Sequence, residues 1–299
     1  MGAGSYSAAD WSKLKRSAKL DSSASAEQIY VKREMDPKYD PQYIGVRESR
    51  DSEEHPNSTP IMIGLDVTGS MGYLAEEIAK NALHETMMKL YSTNCVQDPQ
   101  LMFAAIGDVK DLAPLQVTQF ESDIRIAEQL LDLWLEYRGG DLPEDYPLLW
   151  YFAAKHVDTD SMKKRQQKGF LFTIGDADAH ESISAKEIKT IFNDEVSGDL
   201  STRKLADLAG KSFELFHIAI MSRPNSSFKV LSRALPGRMI YVAKDEVSYL
   251  PEIIISVIQY TQGKEKKEIL KQWNDLAKPI VKQVLSKLVV SGTKKGFFF

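Results

Sequence analysis

The sequence predicts an α/β fold: a mainly parallel central sheet of about six strands, with helices on both faces and one antiparallel edge strand. From residue 60 to residue 260, apolar runs of strand length alternate with segments of helical periodicity. This alternation is typical of right-handed βαβ units, which build parallel sheets. Most of the runs are continuously apolar, as buried strands are, and one shorter run suits an edge.

Six strands are predicted, separated by helices. The predicted strands comprise residues 61–65, 101–106, 115–120, 169–174, 214–220 and 239–242, of which 115–120 is the edge strand. The first predicted helix follows the first strand directly. The later helices comprise residues 124–139, 142–156, 185–192, 203–209 and 249–260. In the first helix, Leu74, Ile78 and Ala82 form one apolar line at helical spacing.

The remaining segments divide the chain into an N-terminal polar arm (1–58), the α/β domain (59–262) and a lysine-rich helical tail (263–299) interrupted at Pro279. The arm either stays mobile or wraps around the domain. Both segments carry apolar anchors, so we expect at least one of them to dock. These anchors are Trp11, Tyr30, Tyr43 and Ile44 in the arm, and Trp273, Leu276, Leu285, Phe297, Phe298 and Phe299 in the tail.

The composition disfavours several classes of protein. The chain has 299 residues, a hydrophobic fraction of 43% and a formal net charge of −4, which speaks against a general binder of nucleic acid. Its one cysteine, Cys95, excludes an intramolecular disulfide and suits a reducing compartment. No apolar run is long enough to span a membrane, and the N-terminus lacks the apolar segment of a secretory signal. We therefore expect a cytoplasmic protein that binds no membrane.

Oxygen-bearing side chains follow the first predicted strand at alternate positions. Asp66 ends the apolar run, and Thr68 and Ser70 follow it just before a helix. Their oxygens can converge beyond the carboxyl end of the strand, where open α/β sheets bind ligands. Asp108 and Asp176 follow two further strands, and if these strands are neighbours the three acids meet at one edge. Such a cluster suits a hard divalent cation, which prefers oxygen ligands and relieves the repulsion between carboxylates.

These residues resemble the von Willebrand factor A (vWA) domain family, over roughly residues 60 to 260. The metal-ion-dependent adhesion site (MIDAS) of that family has D-x-[ST]-x-S in its first loop, a threonine in its second and an aspartate in its third. Asp66, Thr68 and Ser70 match the first loop completely, and Asp176 matches the third. The second loop departs from the pattern, because Asp141, in Gly-Gly-Asp-Leu-Pro-Glu, stands where the threonine is usual. This version of the loop resembles that of vWA domains attached to alpha-kinases.

The resemblance implies a non-enzymatic module that binds another protein through a metal ion. It implies Mg²⁺, with Mn²⁺ or Ca²⁺ as alternatives. Thr68 and Ser70 would bind the ion directly, and Asp66, Asp141 and Asp176 would bind it directly or through water. An acidic side chain of the partner would fill the open coordination position. Because the family often works beside AAA+ ATPases or kinases, the resemblance also implies a scaffold or adaptor in an intracellular multiprotein system, bacterial or phage.

Several of these residues have a plainer interpretation that stays open from sequence alone. Asp141 can cap the helix that follows it, with Glu144 closing a capping box. Ser70 can likewise cap the helix that begins near it. Asp178 suits a loop acid or a helix cap, and His180 suits an ordinary loop histidine.

Two alternative functions also stay open. A metal-dependent hydrolase would use Asp66, Asp176 and His180, and a purely structural protein would use the metal to tether loops. No G-x-x-x-x-G-K-[ST] phosphate-binding motif is present, and G-x-S-x-G fails because Thr68 stands two residues before Ser70. We therefore predict that the protein is not an enzyme.

Overall fold

The computed structural model describes residues 4–21, 23–136, 143–221 and 228–290, apart from the side chain of Ser70. Its strands are β1 (Arg47–Ser49), β2 (Thr59–Asp66), β3 (Pro99–Ile106), β4 (Leu115–Val117), β5 (Val157–Thr159), β6 (Gly169–Gly175), β7 (Ser182–Ile183), β8 (Leu200–Ser201), β9 (Phe213–Ile220) and β10 (Met239–Val242).

Six of these strands form the central sheet, in the order β10-β9-β6-β2-β3-β4. Neighbouring strands are parallel except for β3 and β4, which pair antiparallel at the edge. The predicted fold class is therefore confirmed, including the antiparallel edge strand. The other described strands form two small sheets, β1 with β5 and β7 with β8.

Helices cover both faces of the central sheet. They are α1 (Ala8–Ser17), α2 (Ala26–Ile29), α3 (Gly72–Glu77), α4 (Leu83–Thr93), α5 (Arg125–Leu131), α6 (Tyr146–Lys155), α7 (Asp160–Arg165), α8 (Ala185–Phe192), α9 (Thr202–Ala209), α10 (Lys229–Ala234), α11 (Leu250–Thr261), α12 (Lys266–Lys271) and α13 (Ala277–Lys287). A π-helical turn, Ile78–Ala82, joins α3 to α4. None of the helices in the described ranges is long and apolar enough to cross a membrane.

The core consists of two apolar layers, one on each face of the sheet. Along β2 the side chains alternate, so that Ile61, Ile63 and Leu65 belong to one layer and Met62 to the other. Helices α3, α4 and α11 cover the first layer, and α6, α8 and α9 cover the second. Burial on both faces explains why the central strands have continuously apolar sequences. Because both faces are apolar, the carboxylate side chains of this sheet lie at or near the ends of its strands.

The described part of the N-terminal arm wraps around the domain. Trp11 and Tyr30 are buried in the first layer. The Trp11 ring stacks on His84 of α4 with ring centroids 5.2 Å apart, and the Tyr30 hydroxyl donates a 3.0 Å hydrogen bond to the Ala75 carbonyl. Tyr43 is the exception among the predicted anchors of the arm, because 69% of its surface is exposed.

The helical tail packs on the same layer as the arm. Trp273 and Leu285 are buried, and the Trp273 indole N–H donates a 2.8 Å hydrogen bond to the Ser256 hydroxyl of α11. Leu276 is exposed. The terminal phenylalanines at positions 297–299 lie outside the described residues.

The predicted interruption of the tail helix at Pro279 is wrong. The break lies earlier, between Lys271 and Ala277, and separates α12 from α13. The Asn274 side chain accepts hydrogen bonds from the backbone N–H groups of Leu276 and Ala277, at 3.0 and 2.9 Å, and so begins the new helix. Pro279 lies in the first turn of α13, where a backbone N–H has no partner inside the helix and its loss costs little.

Candidate metal centre

Three of the acids singled out in the sequence lie at one edge of the sheet. Strands β6, β2 and β3 are adjacent, and Asp66, the last residue of β2, lies opposite Ile106, the last residue of β3. Asp108 follows β3, and Asp176 follows β6. The strand order therefore brings the three positions together at the carboxyl ends of the central strands.

The carboxylate of Asp66 is fully buried and firmly oriented. Its Oδ1 accepts hydrogen bonds from the backbone N–H and the hydroxyl of Thr68, at 2.9 and 2.7 Å. Its Oδ2 accepts a 3.1 Å hydrogen bond from the Tyr146 hydroxyl. Since each carboxylate oxygen has two lone pairs, Oδ1 is saturated and Oδ2 keeps one lone pair for a cation or for a cation-bound water. The Thr68 hydroxyl, which donates its proton to Asp66, also keeps acceptor capacity for a cation.

Tyr146 was not predicted as part of the site. It is the first residue of α6, and it reaches Asp66 because Gly175, at the end of β6, has no side chain: a Cβ there would collide with the Tyr146 hydroxyl. Burial, with the negative charges of Asp66 and Glu144, raises the pKa of Tyr146 well above its usual value. The phenol therefore stays protonated and remains a donor to Asp66.

The site gathers negative charge around a buried carboxylate. Burial, with the nearby charge of Asp176, raises the pKa of Asp66 to about 6, although the hydrogen bonds from Thr68 oppose this shift. Asp176 itself is exposed at the surface. A divalent cation between these groups would stabilise both carboxylates in their ionised form.

Glu144 is a further acid that sequence reasoning treated as a helix cap. Only 4% of its surface is exposed, and its Oε2 has no hydrogen-bond partner in the described part of the chain. Burial, followed by the charges of Asp66, Asp108, Asp145 and Asp176, raises its pKa to about 9. The carboxyl group of Glu144 thus interacts electrostatically with all four acids. The glutamate of Gly-Gly-Asp-Leu-Pro-Glu was visible in the sequence, but nothing there indicated burial.

Of the five predicted ligands, the structure describes three completely. Asp66 and Thr68 are in direct contact, and Asp176 lies within electrostatic reach of Asp66. Asp141 and the side chain of Ser70 lie outside the described parts. Their assignment as ligands, and the choice between ligand and helix cap for Asp141, therefore stay predictions.

A second polar cluster lies beside the first and contains a histidine. The His180 Nε2 atom is 3.8 Å from Asp108 Oδ2 and 4.0 Å from Asp145 Oδ2. Asp145 occupies the N-cap position of α6, yet its side chain caps nothing there and its Oδ2 accepts a 2.9 Å hydrogen bond from the Val109 N–H. The sequence offers His180 as a partner of Asp66 instead, and nothing in it distinguishes Asp145.

The loop after β6 is held in place by a backbone bridge and by Asp178. The Asp178 carboxylate accepts hydrogen bonds from the N–H groups of Val230 and Leu231, at 2.9 and 3.0 Å, at the beginning of α10. Asp178 thus binds the first turn of a helix that lies about 50 residues further along the chain, a contact that the local sequence does not indicate. The Glu144 N–H donates to the Asp178 carbonyl at 2.8 Å, and the His180 N–H donates to the Glu144 carbonyl at 3.2 Å. These bonds fix the backbone from which both Glu144 and His180 project.

Comparison with known proteins gives only distant structural matches. No family model matches the chain, and no curated protein matches it. The pilus adhesin SpaC from Lactobacillus rhamnosus GG is 9% identical over 72% of this chain and 32% of its own, with a TM-score of 0.47. Proximal thread matrix protein 1 from the mussel byssus, with a zinc-occupied MIDAS motif, is 10% identical over 68% of this chain and 48% of its own, with a TM-score of 0.45.

A third match is a smaller protein. The SpRpn10 VWA domain is 13% identical over 65% of this chain and 94% of its own, with a TM-score of 0.39. This chain thus spans about a third of SpaC and about half of the mussel protein. The function of this chain has to be derived from its own residues.

Proposed function

We propose that this chain is a vWA-like, non-enzymatic module that binds a protein partner through a divalent cation, with Mg²⁺ preferred. The observation that carries the proposal is the setting of Asp66: a fully buried carboxylate, oriented by Thr68 and Tyr146, at the rim of the sheet beside the exposed Asp176. The donors are all oxygens, which Mg²⁺, Mn²⁺ and Ca²⁺ prefer.

The ligand set is chosen from the groups at this edge. Thr68 would bind the cation by its hydroxyl, and Asp66 and Asp176 directly or through water. Ser70 and Asp141 complete the set that the motif implies. Glu144, whose Oε2 has no hydrogen-bond partner among the described residues, would add a further oxygen. When bound, the cation would supply positive charge and an open coordination position at the surface.

The partner would fill that position with an acidic side chain. The exposure of Asp176 supports access from solvent. We further propose, from the motif, a cytoplasmic scaffold or adaptor in a bacterial or phage system that contains an AAA+ ATPase or a kinase. The hydrolase alternative is less well supported, because the described residues place His180 beside Asp108 and Asp145.

Cation binding is the first test. Metal-free protein is titrated with Mn²⁺, with free Mn²⁺ followed by electron paramagnetic resonance and Mg²⁺ added as competitor. Asp66→Asn should weaken binding at least about 100-fold, since loss of outer-shell groups alone costs 10–100-fold. Asp275→Asn is the matched control, because its side chain is 95% exposed and lies between α12 and α13, outside the predicted ligand set. Equal affinity in Asp66→Asn and wild type would contradict the proposal.

The open coordination position is the second test. A peptide containing glutamate should displace water from bound Mn²⁺ and lower the water-proton relaxation that the ion causes. The same peptide with glutamine is the control, and Asp66→Asn protein should respond to neither peptide. If bound Mn²⁺ keeps its water in the presence of the acidic peptide, the metal tethers loops and the structural alternative is correct.

A further inference from the structure

We propose that Asp108, Asp145 and His180 form a second cation site, separate from Asp66, that takes a divalent transition metal such as Zn²⁺. The three side chains offer two carboxylate oxygens and one imidazole nitrogen, all within 4.8 Å of one another. Three protein ligands with one position left for water are the usual set of an open zinc site. Imidazole nitrogen selects Zn²⁺ and its neighbours in the transition series over Mg²⁺.

The distances are close to those of a bound ion. Ligand atoms about 2.1 Å from a tetrahedral Zn²⁺ lie roughly 3.4 Å from one another. His180 Nε2 is 3.8 Å from Asp108 Oδ2 and 4.0 Å from Asp145 Oδ2. A contraction of about 0.5 Å would bring the His180 nitrogen to that separation from each oxygen. The three donor atoms all lie within 4.8 Å of one another, so the remaining pair needs to close by about 1.4 Å or less.

Two of the three donor atoms have no hydrogen-bond partner among the described residues. The side chain of Asp108 is 4% exposed, and its Oδ2 has no hydrogen-bond partner in the described residues. The same holds for the buried Nε2 of His180. Their separation is too long for a hydrogen bond between them. Buried polar atoms without partners are rare in native proteins, and a metal ion would satisfy these two together.

Backbone hydrogen bonds orient the ligands for this role. The Val109 N–H donates to Asp145 Oδ2 at 2.9 Å and leaves that oxygen one lone pair. The Lys110 N–H donates to Asp108 Oδ1 at 2.8 Å and leaves Oδ2 to point toward His180. Such contacts fix a ligand before the metal arrives.

The second site does not depend on the proposed function, because its ligands are different residues and one of them is a nitrogen donor. Excess Mg²⁺ should therefore fill the Asp66 site and leave the His180 site to a transition metal. This difference allows the two sites to be loaded and measured separately in one protein.

The test titrates the full-length, metal-free protein with Zn²⁺ by calorimetry, and with Co²⁺ by visible absorption, in excess Mg²⁺. Wild type should bind one transition ion tightly. His180→Gln and Asp145→Asn should each weaken that binding at least about 100-fold. Asp145→Asn keeps an oxygen to accept the Val109 N–H, so its fold should survive even if that of His180→Gln does not. His84→Gln controls for unspecific binding by histidine, and circular dichroism verifies each fold.

Two results would overturn the second site. One is unchanged Zn²⁺ affinity in folded Asp145→Asn and His180→Gln proteins. The other is a loss of Zn²⁺ binding in Asp66→Asn as complete as in His180→Gln, which would mean a single shared site. Retained Zn²⁺ binding in Asp66→Asn supports the second site even if the Mn²⁺ titration of the proposed function fails, so the two failures can be told apart.

Discussion

Replacing Glu144 by Gln should remove the pH dependence of Mg²⁺ binding above about pH 7. The pKa of Glu144 is raised to about 9 by burial and by the charges of the surrounding acids, so the metal-free protein holds a proton on this side chain at neutral pH. A cation that takes Glu144 as a ligand displaces that proton. If one proton is released for each ion bound, the affinity of the protein for Mg²⁺ rises tenfold, or by about 1.4 kcal/mol, for each pH unit between about pH 7 and 8.5.

The same substitution should change the stability of the metal-free protein. The folded-state pKa of Glu144 lies above its ordinary value of 4.5, so between pH 4.5 and about 9 the folded state holds more protons than the unfolded state. Its contribution to stability is therefore complete below pH 4.5 and is lost as the pH rises through that window. Glu144→Gln lacks this loss, and it should gain stability relative to wild type as the pH is raised.

Calorimetry of Mg²⁺ binding, in two buffers of different ionisation enthalpy, counts the protons released. Urea unfolding over the same pH range measures the stability. Glu195→Gln is the matched control, because the Glu195 side chain is 82% exposed. A wild-type affinity that does not change between about pH 7 and 8.5, or an equal slope in Glu144→Gln, would refute the assignment of the proton to Glu144.

Three further substitutions test other contacts. Tyr146→Phe removes the hydrogen bond to Asp66. Because hydrogen bonds to charged groups contribute about 1.5–3 kcal/mol, urea unfolding of the metal-free protein should show a decrease in the free energy of unfolding of that size. An unchanged free energy of unfolding would mean that the bond contributes nothing. Burial lowers the pKa of His217 from 6.5 to about 3. The contribution of His217 to stability should therefore fall by about 1.4 kcal/mol per pH unit as the pH falls below 6.5, opposite in sign to that of Glu144. His217→Gln should gain stability relative to wild type when urea unfolding at about pH 7 and 5 is compared. Trp11→Ala should lower the free energy of unfolding by about 3 kcal/mol and expose the arm to protease, whereas Tyr43→Ala, at a side chain that is 69% exposed, should stay within about 0.5 kcal/mol. Equal effects of these two changes would show that the arm does not depend on its buried anchor.

The strands of the central sheet were predictable from local sequence. A parallel strand covered by helices on both faces is buried along its whole length. The strands β2 and β6 therefore have continuously apolar sequences, which distinguish them from exposed segments. The strands β7 and β8 were not predicted, because two residues are too few to show a period. Local propensity places the break before α13 at Pro279, whereas in the structure it lies near Asn274, whose side chain accepts hydrogen bonds from the N–H groups of Leu276 and Ala277.

What the sequence by itself determined is the strands of the sheet, the acids that follow them and the spacing of Asp66, Thr68 and Ser70, because these depend on residues close together in the chain. Only the tertiary structure decided that Tyr146 and Glu144 join Asp66, and that Asp145 joins His180. These residues come from the beginning of α6 and the end of its preceding loop, far in sequence from β2, and they meet the sheet edge only after the helix has packed. The raised pKa of Glu144 depends on burial as well, and burial is a property of the packed chain that no local pattern contains.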